Sequence, residues 1–559
     1  MARTSGRLRI VGGEMASTSR RTTIPALCRV LGLLVLMCAA CSGKDESSET
    51  AVGGQPQRGG TVVLGSISDV DSWNEYLSRQ SFASNLIRRI YLRLAEAQGD
   101  GQQRPQSHEP MLAESWEFAD DNLSLTFKLR EAVWSDGRPV SAADVRFTWQ
   151  AQTSPHVPWV GAEIKSQITN VEVLDERTVR FHFGAEYPFQ LADAVEGGIL
   201  PEHVFGAIPL EQWATHDWSQ LSVGSGPFLL ERYDPGHEIT LRRNPRYFRE
   251  GYPLLDQVVV RVVPDAGNLL TQLMAGEIDY LEGLAPSDAH SLNSNNQVGL
   301  LAFDYPKFDY IGWNGSRPPF DDPLIRRAMT LAIDREALVT DLLYGYGRVS
   351  KGPVLSFWWS ANRGLEAWPH DLDEARRLLE AAGFATLDED GQGSGTGRQL
   401  EFDLMTNSGN RLREDMLVKI QEQLARIGVK VNVRPVEMRA MRQQAASGEY
   451  DAYLGGWTFQ GKVDLKAVFG SGATPPNGMN VVFYKSDEVD RLLEAAERAR
   501  DWREVKTHMD SLQLQIHEDQ PYTFLYETKR VAAYGQRLRD VEIDIPADPL
   551  ARLERYWIQ

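Results

Sequence analysis

The sequence predicts an α/β fold, and three observations carry that prediction. Apolar and polar residues alternate through short runs, the mark of half-buried strands. Other segments repeat apolar residues at three- and four-residue spacing between capping signals, the mark of helices. In the later half of the chain the two patterns take turns. Thr61 to Leu64 opens the series as a strand. Leu123, Leu125, Phe127 and Leu129 then alternate with Ser124, Thr126, Lys128 and Arg130. Ser141 with Asp144 forms a capping box before the helical run of Val145, Phe147 and Trp149. Val171 and Val173, a turn at Asp175-Glu176-Arg177, and Val179, Phe181 and Phe183 read as a hairpin. Asp371 with Glu374 caps a helix whose apolar face includes Leu372, Ala375, Leu378 and Leu379, and Gly383 ends it. Gly391 to Gly397 is glycine-rich, but no strand leads into it and no helix follows directly, so it reads as a hairpin tip rather than a phosphate cradle. Leu417, Ile420, Leu424 and Ile427 form the next helix, stopped by Gly428, and Val429, Val431 and Val433 alternate as the strand after it.

Composition narrows the function. A chain of 559 residues exceeds one ordinary core and predicts two or three folded units. A formal net charge of −18 argues against nucleic acid as a partner, because phosphate contacts need clustered Lys and Arg. All three cysteines, Cys28, Cys38 and Cys41, lie near the N-terminus, so the folded body has no disulfide, no Cys metal site and no Cys nucleophile. Such a body tolerates an oxidising compartment. The ten histidines show no metal-ligand spacing such as HExxH. Gly224-Ser225-Gly226 lacks the five-residue nucleophile elbow. The expectation is therefore no enzyme, no metal and no cofactor. A secreted hydrolase working with two carboxylates is the alternative of another class, and an anchored structural or receptor lobe is a third. Fourteen tryptophans is a high count: most read as large packing residues, and the rest are candidates to line a binding cleft with rigid amphipathic rings.

The N-terminus reads as an export signal. Arg3, Arg7, Arg9, Arg20, Arg21 and Arg29 stand against a single Glu14, and Val30 to Ala40 is an apolar run too short to span a bilayer. Ala39-Ala40 directly before Cys41 resembles a lipoprotein cleavage site, with Cys38 in place of the usual Leu, so Cys41 is the expected lipidation residue. Residues 1–40 are then a signal peptide, and 41–58, polar and rich in Gly and Ser, a flexible tether. The expected location is outside the cytoplasm, anchored to a membrane through lipid.

Six stretches together resemble a known family. They are Glu109 to Trp149, Val223 to Phe248, Gly276 to Asp279, Ile311 to Gly345, Asp371 to Phe384 and Glu449 to Trp457. In order and spacing they are similar to the oligopeptide- and dipeptide-binding members of the ABC-importer solute-binding proteins, family 5, along nearly all of residues 59–559. The resemblance implies a two-lobed periplasmic-binding-protein-like clamp of type II with an extra subdomain in lobe one. Lobe one would run over 59–312 with the subdomain at about 76–200, lobe two over 313–525, and 526–559 would return to lobe one. It implies a monomer that closes on a peptide and delivers it to membrane permease subunits, with an oligosaccharide or other polar solute as the alternative ligand.

The resemblance also implies binding residues. Trp73 and Asn74 follow the first strand, Trp313 and Asn314 sit at the expected crossing, and Trp358, Trp359 and Trp457 are further aromatic candidates. Gly456 and Thr458 would offer main-chain groups to an extended peptide, and Ser84 and Asn85 would face them from the other lobe. Family members that bind a free amino terminus carry an Asp three residues after this Trp, where this chain has Gln460. A neutral amide cannot neutralise a buried ammonium. Asp464, four residues on, is the candidate substitute.

Overall fold

The computed structural model describes residues 55–98, 101–102, 104–221, 223–388, 390–394, 397–459 and 464–559. The expected signal peptide, Cys41 and most of the tether lie outside the described residues. Among the described residues the fold is mixed α/β, and no helix is long and apolar enough to cross a membrane.

Among the described residues one mixed sheet of eleven strands runs through both lobes. From one edge its order is Lys430–Val436, Glu401–Asn407, Ala452–Thr458, Val298–Trp313, Tyr522–Gly535, Tyr280–Glu282, Thr61–Ser66, Gln257–Val262, Glu238–Arg243 and Phe228–Asp234. The short strand Gly347–Val349 pairs with Tyr522–Gly535 off this path. A separate four-stranded antiparallel sheet, Ala113–Phe118, Ser124–Leu129, Thr178–Phe183 and Ile168–Asp175, builds the extra subdomain of the first lobe.

The local patterns account for these elements. In Ser124–Leu129 every second residue, Leu125, Phe127 and Leu129, is buried. Asp144 accepts the Ser141 N–H at 2.8 Å and opens the helix Ala142–Gln152. Asp371 caps Leu372–Ala381 by accepting the Glu374 N–H at 2.9 Å, and Gly383 leaves that helix with a φ of +84°. The glycine-rich segment supplies a short return strand, Gly393–Ser394, against Thr386–Leu387.

Among the described residues four hydrophobic cores divide between two lobes. Two cores belong to the first lobe and hold Val62, Phe127, Val258 and Leu269. The other two belong to the second lobe and hold Ile311, Leu404, Leu454 and Phe469. The two long strands belong to both lobes. Val298–Trp313 carries Val298 and Phe303 into the first lobe and Phe308 and Ile311 into the second. Tyr522–Gly535 returns with Phe524 and Tyr526 in the second lobe and Ala532 and Ala533 in the first.

Asp279 locks the centre of the first lobe. Its carboxylate is buried, accepts the Val63 N–H at 2.8 Å and pairs with Arg537 Nη2 at 2.6 Å, joining the first strand to the last part of the chain. Asp279→Ala leaves the Val63 amide without that partner, which costs about 1–3 kcal/mol. A denaturant titration should show a lower midpoint for this variant, and an unchanged midpoint would contradict the role given to the carboxylate.

Candidate functional site

The lobes meet where the long strands change register. Their pairing slips between Asp304 and Phe308, which releases Tyr305, Pro306 and Lys307 from the regular ladder. Arg348, on the short strand Gly347–Val349, forms an ion pair with Asp304 and lies 3.5 Å from Glu527. Glu527 is 1% exposed and accepts from Ser356 N at 2.8 Å and Ser356 Oγ at 2.6 Å. Burial pushes its carboxyl above the ordinary range, and those hydrogen bonds and nearby Arg348 only partly oppose the shift.

On the first-lobe side of this slip lies a cavity of about 380 Å³. It opens at the carboxyl ends of Thr61–Ser66 and Tyr280–Glu282, which run parallel, the position where α/β sheets bind ligands. Much of its wall is apolar: Leu64, Phe82, Leu270, Leu281 and Leu284. Its ion pair, Arg530 with Glu282 at 3.0 Å, is internally balanced, and the Arg530 guanidinium sits 4.8 Å from the centre of the Tyr305 ring. Burial raises the Glu282 carboxyl against the pull of Arg530. Asn85 on the helix Ser81–Ile87 is 6% exposed and lines the cavity. Its carboxamide is a polar group on a wall that is largely apolar.

The second lobe presents an unpaired strand edge. Asn314 N donates to Asp451 O at 3.0 Å and Phe459 N donates to Pro306 O at 2.8 Å. Hydrogen-bonded pairs alternate along an antiparallel ladder. Tyr453, Gly455 and Trp457 therefore bond to Val298–Trp313, whereas Leu454, Gly456 and Thr458 turn their main-chain groups the other way. On that other side Glu401–Asn407 pairs only with Ala452 and Tyr453, and Thr406 Oγ1 reaches Leu454 O at 3.0 Å. Among the described residues the Gly456 and Thr458 groups have no strand beside them.

A buried ion pair supports that edge from beneath. Asp309, opposite Gly456, is fully buried and accepts from Arg413 Nε at 2.8 Å, with Lys307 Nζ also 2.8 Å away. A Cβ on residue 456 would stand 2.5 Å from Arg413 Nη2 and 2.8 Å from Asp309 Oδ1, so only glycine fits over this pair. Beside it Tyr310 stacks on Tyr522 at 3.9 Å, and Trp457 lies parallel to Tyr310 with its indole N–H 3.3 Å from Tyr522 Oη.

The remaining sequence candidates are dispersed. Trp73 is buried and meets Tyr233 edge-on at 5.4 Å. Asn74 is buried in the same loop, where its Oδ1 accepts the Tyr76 N–H at 3.0 Å. Ser84 is half-buried on the helix of Asn85 but does not line the cavity. Trp313 lies in a second-lobe core and donates to Thr523 Oγ1 at 3.0 Å, away from the cavity. Asn314, also fully buried, donates to Gly448 O and Tyr450 O at 3.0 and 2.8 Å and so ties loops of the second lobe together. Trp358 packs edge-on against Phe459 at 5.7 Å. Trp359 packs between Trp502 and Phe189, the latter from the first-lobe subdomain, at 5.9 and 6.1 Å. Asp464 is exposed and caps the helix Leu465–Phe469 by accepting the Ala467 N–H at 3.0 Å. Gln460 lies outside the described residues. Sequence reasoning missed Tyr305, Glu282, Arg530 and the C-terminal stretch Ala547–Leu550 as cavity walls. Glu282 follows the quoted Gly276–Asp279 block closely, which is the one signal that pointed there.

Comparison with known proteins bears on the family and the fold. The family model "Bacterial extracellular solute-binding proteins, family 5 Middle" matches residues 108–476. The oligopeptide-binding protein AppA of Bacillus subtilis is 30% identical over 550 residues, covering 96% of this chain and 99% of that protein. Its solved structure, in complex with a nonapeptide, covers 90% of this chain and 100% of that one, with 29% identity and a TM-score of 0.73. Heme-binding protein A of Haemophilus influenzae is 26% identical, covering 74% of this chain and 78% of that one.

Asp309 makes the second lobe acid-sensitive. Burial alone would raise its carboxyl, but Lys307 and Arg413 outweigh burial and hold it below the ordinary range. A depressed value contributes stability that is fully present above the unfolded value of about 3.9 and is lost as pH falls through the lower folded value. Asp309→Asn removes this loss. It also leaves the Arg413 guanidinium buried without its counter-charge, which costs roughly 3–5 kcal/mol near neutral pH. Unfolding midpoints followed from neutral to acidic pH should converge for the two proteins, and a variant as stable as the parent at neutral pH would contradict the assignment.

Proposed function

The chain belongs to the bacterial extracellular solute-binding proteins of family 5, and from that premise we propose that it captures peptides between its lobes for delivery to an ABC permease. One observation carries the reading: the free main-chain edge at Gly456 and Thr458, in a chain 30% identical to an oligopeptide-binding protein. The family fold does not choose the solute, since a relative of this chain is a heme-binding protein. The free edge favours a peptide, because a peptide is itself a strand of matching donors and acceptors.

An extended peptide adds as a strand along Gly456–Thr458, and main-chain pairing leaves its sequence largely unread. Its side chains are accommodated separately, one of them in the first-lobe cavity. The lobes close by bending the two long strands at the register slip between Asp304 and Phe308. The peptide stabilises the closed form because only there do both walls touch it. No covalent bond changes, so the solute leaves unaltered, and the protein acts as a carrier rather than as an enzyme. Anchoring through a lipidated Cys41 would keep the carrier beside its permease; labelled palmitate should enter the parent chain and not Cys41→Ala.

Asp464 is exposed and occupied as a helix cap, and Gln460 carries no charge. Free and N-acetylated forms of one peptide should therefore bind with affinities within a few-fold of each other in calorimetry. A strong free-amine preference that Asp464→Asn abolishes would overturn this and give the charge to Asp464. Main-chain recognition has its own test. Thr458→Pro deletes an outward N–H that no neighbouring strand uses, and peptide affinity should fall about three- to tenfold. Thr458→Ala keeps the N–H and should bind as the parent does; equal losses in both variants would sink the strand-addition reading.

A further inference from the structure

The cavity's far wall comes from the other end of the chain. Ala547, Pro549 and Leu550 line it, although residues 540–552 form no helix or strand. Two features hold this stretch in place. Pro546 and Pro549 restrict the backbone on either side of Ala547-Asp548. Arg89, 5% exposed, donates to Asp548 Oδ2 at 2.6 Å and to Leu550 O at 2.9 Å, and Arg88 approaches the same carboxylate at 3.8 Å. A buried guanidinium keeps such partners, because losing them leaves a charge uncompensated.

Behind the stretch lies a second, smaller cavity of about 60 Å³, lined by Ile545 and Asp548 with Arg93 and Glu96. Residues 545–550 thus run between two hollows, positioned by Arg89, by proline and by Leu550, which is buried in the first-lobe core. Since this backbone is fixed, the depth of the larger cavity depends on the side chain that the stretch presents. Ala547 is half-buried and carries a single methyl there.

We propose that Ala547 is a specificity-determining residue: its small side chain lets the cavity accept one bulky apolar side chain of the captured solute. That the solute is a peptide rests on the function proposed above; the role of Ala547 in setting the cavity's depth does not. The group accepted is aromatic or branched aliphatic, because the wall offers Leu64, Phe82, Leu270, Leu281 and Leu284. Glu282 and Arg530 neutralise each other, and Asp288, on the first turn of the helix Pro286–Leu292, is the further ionic group on the wall. An acidic side chain would therefore be disfavoured.

The test compares the parent with Ala547→Phe and the milder Ala547→Val, each first checked by its melting midpoint. Pentapeptides of alanine carrying a single Trp or Leu at each position in turn are titrated by calorimetry. The parent should favour the best Trp or Leu peptide over the all-alanine peptide by about tenfold or more, the worth of one well-filled apolar pocket. Ala547→Phe should erase that preference while binding all-alanine peptide within about twofold of the parent, and Ala547→Val should fall between. Equal losses for every peptide, or no change for any, would overturn the proposal. The neutral fluorophore N-phenyl-1-naphthylamine reads the cavity without peptides: its fluorescence should rise with the parent and not with Ala547→Phe. If no peptide binds the parent but the fluorophore behaves in this way, the peptide reading falls and the role of Ala547 stands. If the fluorophore binds both proteins alike, the role of Ala547 falls.

Discussion

The pairing of two long antiparallel strands, Val298–Trp313 and Tyr522–Gly535, is the constraint on which this molecule depends. Each strand gives one half of its length to the first lobe and the other half to the second. The lobes are consequently parts of one sheet, joined by strand backbone. Strand backbone bends where its ladder is interrupted, and the slip between Asp304 and Phe308 is such a place. The buried Glu527 and the Arg348–Asp304 pair sit at the same level, so charge and backbone irregularity are concentrated where the lobes meet.

The two walls of the site follow from where those strands lead. In the first lobe they pass beside the carboxyl ends of two parallel strands, where the cavity opens. In the second lobe Ala452–Thr458 outruns its outer neighbour, which pairs with Ala452 and Tyr453 alone. Gly456 can lie there because it has no Cβ to strike the Arg413–Asp309 pair. That pair in turn gives the edge a charged, hydrogen-bonded floor instead of a deformable apolar one. On the proposed function the main-chain edge would read backbone and the hollow a side chain, dividing general affinity from selectivity.

Much of the fold was legible in the sequence for physical reasons that are local. The capping box at Ser141 and Asp144, the cap at Asp371 and the alternation from Leu123 to Leu129 are short-range signals, and short-range energetics decide helix starts and strand faces. The order of six blocks carried the family resemblance. The candidate site was less legible. Of the tryptophans singled out, Trp313 lies in a core, and Trp359 packs against Phe189 and Trp502. A tryptophan has the same ring whether it packs or binds, so its type says nothing about which it does.

By itself the sequence determined the α/β class, the acidic, cysteine-poor body and the glycine at position 456. Each of these depends on composition, on neighbours a few residues away or on a motif of fixed spacing. Only the tertiary structure decided that Asn85, Glu282, Tyr305, Arg530 and Ala547 share one cavity. They come from regions hundreds of residues apart in the chain, and no local pattern records which of them meet. Their meeting depends on the long strands carrying the chain out to the second lobe and back, and on Arg89 holding the C-terminal stretch against the first strand's helix.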